Sequence, residues 1–162
     1  MRNVKKTLIL LRHGSKNIDD RLVDSGLNHH GRIQSKTVVS FYLERFSQKH
    51  PDLVSSERLR CQETLVPMSE RLGVDVQIDP HLTEQKTNES HQDFVQRMLR
   101  FKKGFEDSEN PVTVACTHGD WIPLFTDLTI KKMIHPGYVG WIELVYEDEK
   151  YELQHFEVSV FQ

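Results

Sequence analysis

Thr7-Leu8-Ile9-Leu10-Leu11 runs without a break into Arg12-His13-Gly14, and Val112-Thr113-Val114-Ala115-Cys116 runs into Thr117-His118-Gly119. Between them, Asp52-Leu53-Val54-Ser55-Ser56 leads within four residues to Arg60 at the start of a helical pattern. Short apolar runs that end in polar breakers read as buried strands of a parallel sheet. In open α/β sheets, ligands bind just beyond the carboxyl ends of such strands. Two histidines and two arginines delivered to that edge make a pocket suited to a phosphoryl group, since guanidinium forks match phosphate oxygens.

Working outward, a polar loop covers Ser15–Ser25, and a helix is expected over His29–Phe46, with Ile33, Thr37, Phe41 and Phe46 on its inner face. Pro51 separates that helix from the strand Asp52–Ser56. The next helix is expected from about Arg60 to Leu72, kinked by Pro67 and stopped by Gly73. Val74–Ile78 alternates like a half-buried strand, and the loop Asp79–Glu89 follows. Ser90 is a natural N-cap for a helix over His91–Phe105, where Phe94, Met98, Phe101 and Phe105 form one apolar stripe. A short helix starts near Trp121, and Gly140–Tyr146 with Tyr151–Val158 reads as a hairpin around Glu147–Lys150. The expected fold is α/β: a three-layer sandwich with a mostly parallel central sheet, helices on both faces and an antiparallel edge.

No repeat or low-complexity tract divides the 162 residues, so one domain over 1–162 is expected. A formal net charge of −3 argues against a general nucleic-acid or membrane-surface binder. Cys61 and Cys116 are too few for a disulfide framework and fit a reducing, cytoplasmic setting. The start, Met1-Arg2-Asn3-Val4-Lys5-Lys6, has the charge of a signal-peptide n-region. The apolar stretch behind it is too short and ends in Arg12, so a first strand is expected instead. No run approaches transmembrane length.

Four features in order resemble the histidine phosphatase superfamily, also called phosphoglycerate-mutase-like: Leu11-Arg12-His13-Gly14; Leu27-Asn28-His29-His30-Gly31 with Gln34; Ser55-Ser56 with Arg60 and Thr64; and Thr117-His118-Gly119. The resemblance implies that His13 is a nucleophile attacking phosphorus, that Arg12 and Arg60 clamp the phosphoryl oxygens, and that His118 donates to the same oxygens. Arg58 competes with Arg60, which matches the family's spacing to Ser56 and Thr64. Gly14 and Gly119 read as positions where no side chain obstructs the anion. By the same resemblance, Asp79–Glu84 supplies a general acid from Glu84, with Glu89 as its rival.

Departures from the family pattern include Glu57-Arg58 after the serine pair, Cys61 in place of a small residue, and Thr117 in place of serine. The family's Asn shortly after the catalytic histidine has no clear match; Asn17 is too close and Asp19 has the wrong chemistry. His29-His30 and His118-Gly119-Asp120 raise a metal reading, but no regular carboxylate–histidine spacing supports it, so no metal or cofactor is expected. The compact outline looks most like the phosphohistidine-phosphatase branch. The expected activity is hydrolysis of a phosphomonoester or phosphohistidine, with a small phosphorylated metabolite or a phosphohistidine protein as partner. A phosphoglycerate-mutase-type phosphotransferase and a non-catalytic phosphate-binding module are the alternatives.

Overall fold

The computed structural model describes residues 4–18, 20 and 22–161. Its elements are β1 (Lys6–Arg12), α1 (His29–Phe46), β2 (Asp52–Ser55), α2 (Leu59–Leu72), β3 (Val76–Ile78), a 3-10 turn (Pro80–Leu82), α3 (His91–Asp107), β4 (Val112–Thr117), α4 (Trp121–Ile130), β5 (Trp141–Glu147) and β6 (Lys150–Glu157). The six strands form one sheet in the order β3-β2-β4-β1-β5-β6. β1, β2, β3 and β4 pair in parallel, while β5 joins β1 antiparallel and carries β6 as the outer strand of a hairpin.

The two apolar runs became the sheet's centre because both of their faces are covered. All of β4 is buried, and so are Leu8 to Leu11 of β1. On one face Ile9, Leu11, Val114 and Cys116 pack with Val38 and Tyr42 of α1 and with Cys61, Leu65 and Met68 of α2. On the other, Leu8, Leu10 and Ala115 meet Phe94, Met98, Phe101 and Phe105 of α3 and Trp121 and Phe125 of α4. Burying side chains of this size contributes about 1.5–3 kcal/mol each before entropy is counted. Among the described residues, no helix is long and apolar enough to cross a membrane.

Three local expectations are corrected. The inner face of α1 is Gly31, Gln34, Ser35, Val38 and Tyr42, not the row through Ile33, which is 40% exposed. Its first turns face the loop after β1 rather than an apolar layer, so the buried side chains there are small or polar. β3 is only three residues long and mostly exposed, because it forms the sheet edge and has one neighbour. α2 begins at Leu59, one residue earlier than expected, and runs through Pro67, with Arg58 as N-cap and Gly73 in the left-handed conformation that stops it.

The parallel core brings three carboxyl ends together. His13 N donates to Thr117 O at 3.2 Å, and Ser56 N donates to Cys116 O at 3.1 Å. Everything that follows from Arg12, Ser55 and Thr117 therefore opens onto one side of the sheet.

Candidate active site

Arg12, His13, Arg60, Glu84, His118 and Gly119 line one open cavity of about 310 Å³ at that edge, with Lys16, Asp120, His135 and Pro136. The two glycines beside it have a different reason from the one expected. A Cβ on Gly14 would lie 3.1 Å from the Gly31 carbonyl oxygen, so Gly14 lets the loop press on α1. A Cβ on Gly119 would lie 3.1 Å from Arg12 Cζ, so Gly119 makes room for the guanidinium.

His13 is held by its neighbours on both sides. Its Nδ1 lies 2.8 Å from the Gly14 carbonyl oxygen, which can only accept, so Nδ1 carries the proton and Nε2 the lone pair. Gly14 N donates to Thr64 Oγ1, and Ser15 N donates to Gln34 Oε1. Thr64 and Gln34 thus fix the loop on which the imidazole sits. Burial, reinforced by the charges of His118 and Arg60, lowers the His13 pKa from 6.5 to about 4, leaving the ring neutral at neutral pH.

Around this ring stand donors without acceptors. Arg12 donates through Nη1 to the Pro136 carbonyl and stacks over Tyr138 at 4.6 Å, which orients the fork but leaves its buried Nε unpartnered. Arg60, only 2% exposed, spends Nη2 on Glu84 and leaves Nε and Nη1 unpartnered. Buried N–H groups without acceptors are costly, and three beside one cavity fit an anion that supplies the missing oxygens.

Glu84 and His118 form the opposite wall. Arg58 Nε reaches Glu84 Oε1 at 2.5 Å, while Arg60 Nη2 and His118 Nδ1 reach Oε2 at 2.5 and 2.9 Å. Burial alone would raise the carboxyl pKa; the hydrogen bond and charge of His118, with Arg60 and Arg58, outweigh it and hold Glu84 down to about 2. His118 Nε2 lies 2.8 Å from Ser56 Oγ. Burial opposes its charge, but the neighbouring Cys61 and Glu84 push His118 up to about 9, so it is an imidazolium at neutral pH. Both His118 nitrogens are engaged, Nδ1 with Glu84 and Nε2 with Ser56.

The rival residues sit elsewhere. Glu89 is paired with Arg97 Nε at 2.6 Å and does not line this cavity. Asn17 donates through Nδ2 to the Leu27 carbonyl and helps fold its own loop. Asp19 lies outside the described residues, as do Met1, Arg2 and Asn3. Arg58 is N-cap to α2 and contacts Glu84 rather than the cavity. Among the described residues, no three His, Cys, Asp or Glu side chains are grouped to hold a metal ion. Sequence reasoning missed Tyr138 and the Pro136 carbonyl, whose only local signal is the Pro136-Gly137 turn before β5.

Residues 8–88 match the family model described as histidine phosphatase superfamily (branch 1). Similar solved structures include mycobacterial hydrolase 1, at 19% identity and a TM-score of 0.81, covering 96% of this chain and 99% of that one. Mycobacterial glucosyl-3-phosphoglycerate phosphatase is 20% identical with a TM-score of 0.77, covering 95% and 99%. A mutant phosphoserine phosphatase of Entamoeba histolytica, in complex with phosphoserine, is 16% identical with a TM-score of 0.76, covering 97% and 100%. At such identities the likeness is one of fold. No curated protein matches by sequence.

Proposed function

Because the chain belongs to the histidine phosphatase superfamily, we propose that it is a metal-independent phosphatase working through a covalent phosphohistidine on His13. One observation carries the reading: a neutral imidazole with its Nε2 lone pair unprotonated lines the same cavity as two arginines that between them hold three unpartnered guanidinium nitrogens. The first is a nucleophile and the second a cradle for phosphoryl oxygens.

In the first half-reaction the Nε2–P bond forms as the bond from phosphorus to the leaving oxygen breaks. Arg12 and Arg60 hold the three non-reacting oxygens, and the His118 imidazolium adds positive charge opposite His13. Glu84 is ionised at rest, so it serves as acid to the leaving oxygen only in the small fraction of molecules in which it carries a proton. In the second half-reaction water attacks phosphorus, its proton passes to the Glu84 carboxylate, and the P–N bond breaks. Phosphoryl transfer needs chiefly such positioning and charge stabilisation.

The substrate class we assign is a small phosphorylated metabolite or a phosphohistidine protein. Two similar structures are named as phosphatases of glucosyl-3-phosphoglycerate and phosphoserine, which supports the metabolite side. Two buried free thiols, Cys61 and Cys116, suit the reducing cytoplasm where we place the protein. The test is turnover of p-nitrophenyl phosphate with chelator present, together with acid quenching to trap the adduct. Activity should survive chelation and vanish in His13→Ala, and an acid-labile, base-stable phosphoryl group should map to His13. Chelator-sensitive turnover, or an active His13→Ala, would overturn the reading.

A further inference from the structure

Glu84 is held by one more cation than the cavity itself provides. His118 and Arg60 both line the cavity and share Oε2, whereas Arg58 takes Oε1 from outside it with a side chain that is 25% exposed. A phosphoryl group entering the cavity meets the free N–H groups of Arg60 and competes for the one now on Glu84. Arg58 does not line that space, so the incoming anion leaves its bond to Glu84 in place. Arg58, together with His118, thus still grips the carboxylate once substrate is bound.

The other charged groups near Glu84 do not replace that grip. Arg97 of α3 donates Nη2 to the Glu84 backbone carbonyl at 3.1 Å, not to its carboxylate. Glu57 accepts from Thr83 Oγ1 at 3.2 Å and Asp120 accepts from the Gln85 N–H at 3.1 Å, so both flank Glu84 through its chain neighbours. His13 and Lys16 share the cavity.

Building on the phosphatase reading, we propose that Arg58 is a positioning residue that keeps Glu84 an ion-paired carboxylate through the first half-reaction, so that the enzyme favours phosphoryl donors whose leaving group needs no proton from the protein. Acidic phenols, acyl phosphates and N-phosphoryl imidazoles that carry their own proton belong to this class. Alkyl phosphomonoesters do not, because an alkoxide leaves only as it is protonated.

The experiment compares kcat/KM for ethyl phosphate and p-nitrophenyl phosphate across neutral pH in wild type and in Arg58→Leu, Arg58→Gln and Arg58→Lys. Binding of the phosphoryl group and titration of His13 are common to both substrates, so the alkyl-to-aryl ratio isolates leaving-group protonation. Removing one contacting opposite charge moves a carboxyl pKa by about one to three units, so Arg58→Leu and Arg58→Gln should raise the ratio roughly tenfold or more. The pH at which the ratio falls should move upward with it. Arg58→Lys should return the ratio toward wild type, and adding Glu84→Gln to Arg58→Leu should erase the gain. An unchanged or lower ratio in whichever neutral variant folds, or a gain that survives Glu84→Gln, would overturn the proposal. Wild type inactive on the aryl ester, or an active His13→Ala, would instead bring down the phosphatase reading and this inference with it.

Discussion

Arg60→Ala is the sharpest test of the cavity as a phosphoryl cradle. The side chain is buried, contributes two of the three orphaned N–H groups, and gives its remaining bond to Glu84. Deleting one donor from an oxyanion-type site costs about 2.7–4 kcal/mol of transition-state stabilisation, a factor of about 10² to 10³. Losing a forked pair belongs at the upper end, so kcat/KM for p-nitrophenyl phosphate should fall by about 10³, and the affinity for inorganic phosphate should weaken in parallel but less. The fold should suffer little, because Glu84 keeps Arg58 and His118 and is not left as an uncompensated buried charge. Arg60→Lys should recover only part of the loss, since an ammonium restores charge but not the fork. Arg58→Ala, removing a residue that does not line the cavity, should cost less than about tenfold on this substrate. Steady-state kinetics with a phosphate-inhibition series decides it. A loss below tenfold for Arg60→Ala, or an equal loss in Arg58→Ala, would show that the wrong arginine has been assigned to the phosphoryl group.

Two further outcomes follow from burial and close packing. His13 is held near pKa 4 while an exposed imidazole titrates near 6.5, so the unfolded chain binds the extra proton and stability should fall as pH drops from 6.5 toward 4. His118, raised to about 9, acts in the opposite sense: its contribution is complete below 6.5 and is lost as pH climbs toward 9. Urea midpoints measured against pH should therefore flatten on the acid side in His13→Ala and on the alkaline side in His118→Ala, and unchanged slopes would contradict the burial argument. Gly119→Ala puts a Cβ 3.1 Å from Arg12 Cζ, so the guanidinium must give by a few tenths of an ångström against its seat on Tyr138 and Pro136. Misplacement of that kind should cost about ten- to a hundredfold in kcat/KM with little change in Tm, and unaltered phosphate inhibition would argue that Arg12 is not a ligand.

The parts of the fold that were legible are those with a single dominant cause. β1 and β4 are covered on both faces and so read as unbroken apolar runs, and the stripe of α3 matches the four side chains it buries. Helix α1 misled because Gly31 and Gln34 face a polar loop, where a periodicity of apolar residues says nothing. At the cavity, Arg12, His13, Arg60, His118 and Gly119 were legible because each follows directly from a strand end or a short turn after one. The ionised state of Glu84 was not. It comes from three cations on separate segments, and nothing in the local sequence announces that they meet. Tyr138 is of the same kind, since it reaches Arg12 only when the chain returns to pair β5 with β1.

The position of β4 between β2 and β1 also sets an order of assembly. As the chain emerges during synthesis, His13, Arg60 and Glu84 are all made before the strand that separates their carriers exists. Leu11 finds its parallel neighbour only at Cys116, and Leu53, which already has Val76 on one side, finds its inner neighbour at Val114. Until that central strand slots in, β1 and β2 have no shared neighbour, their inner edges stay unsatisfied, and the imidazolium that faces Glu84 is missing. Pairings between such distant parts of a chain form slowly relative to local helices. Any nascent or truncated product ending before Thr117 should therefore be catalytically silent, and aryl-phosphate turnover after denaturation should not return before β4 has inserted.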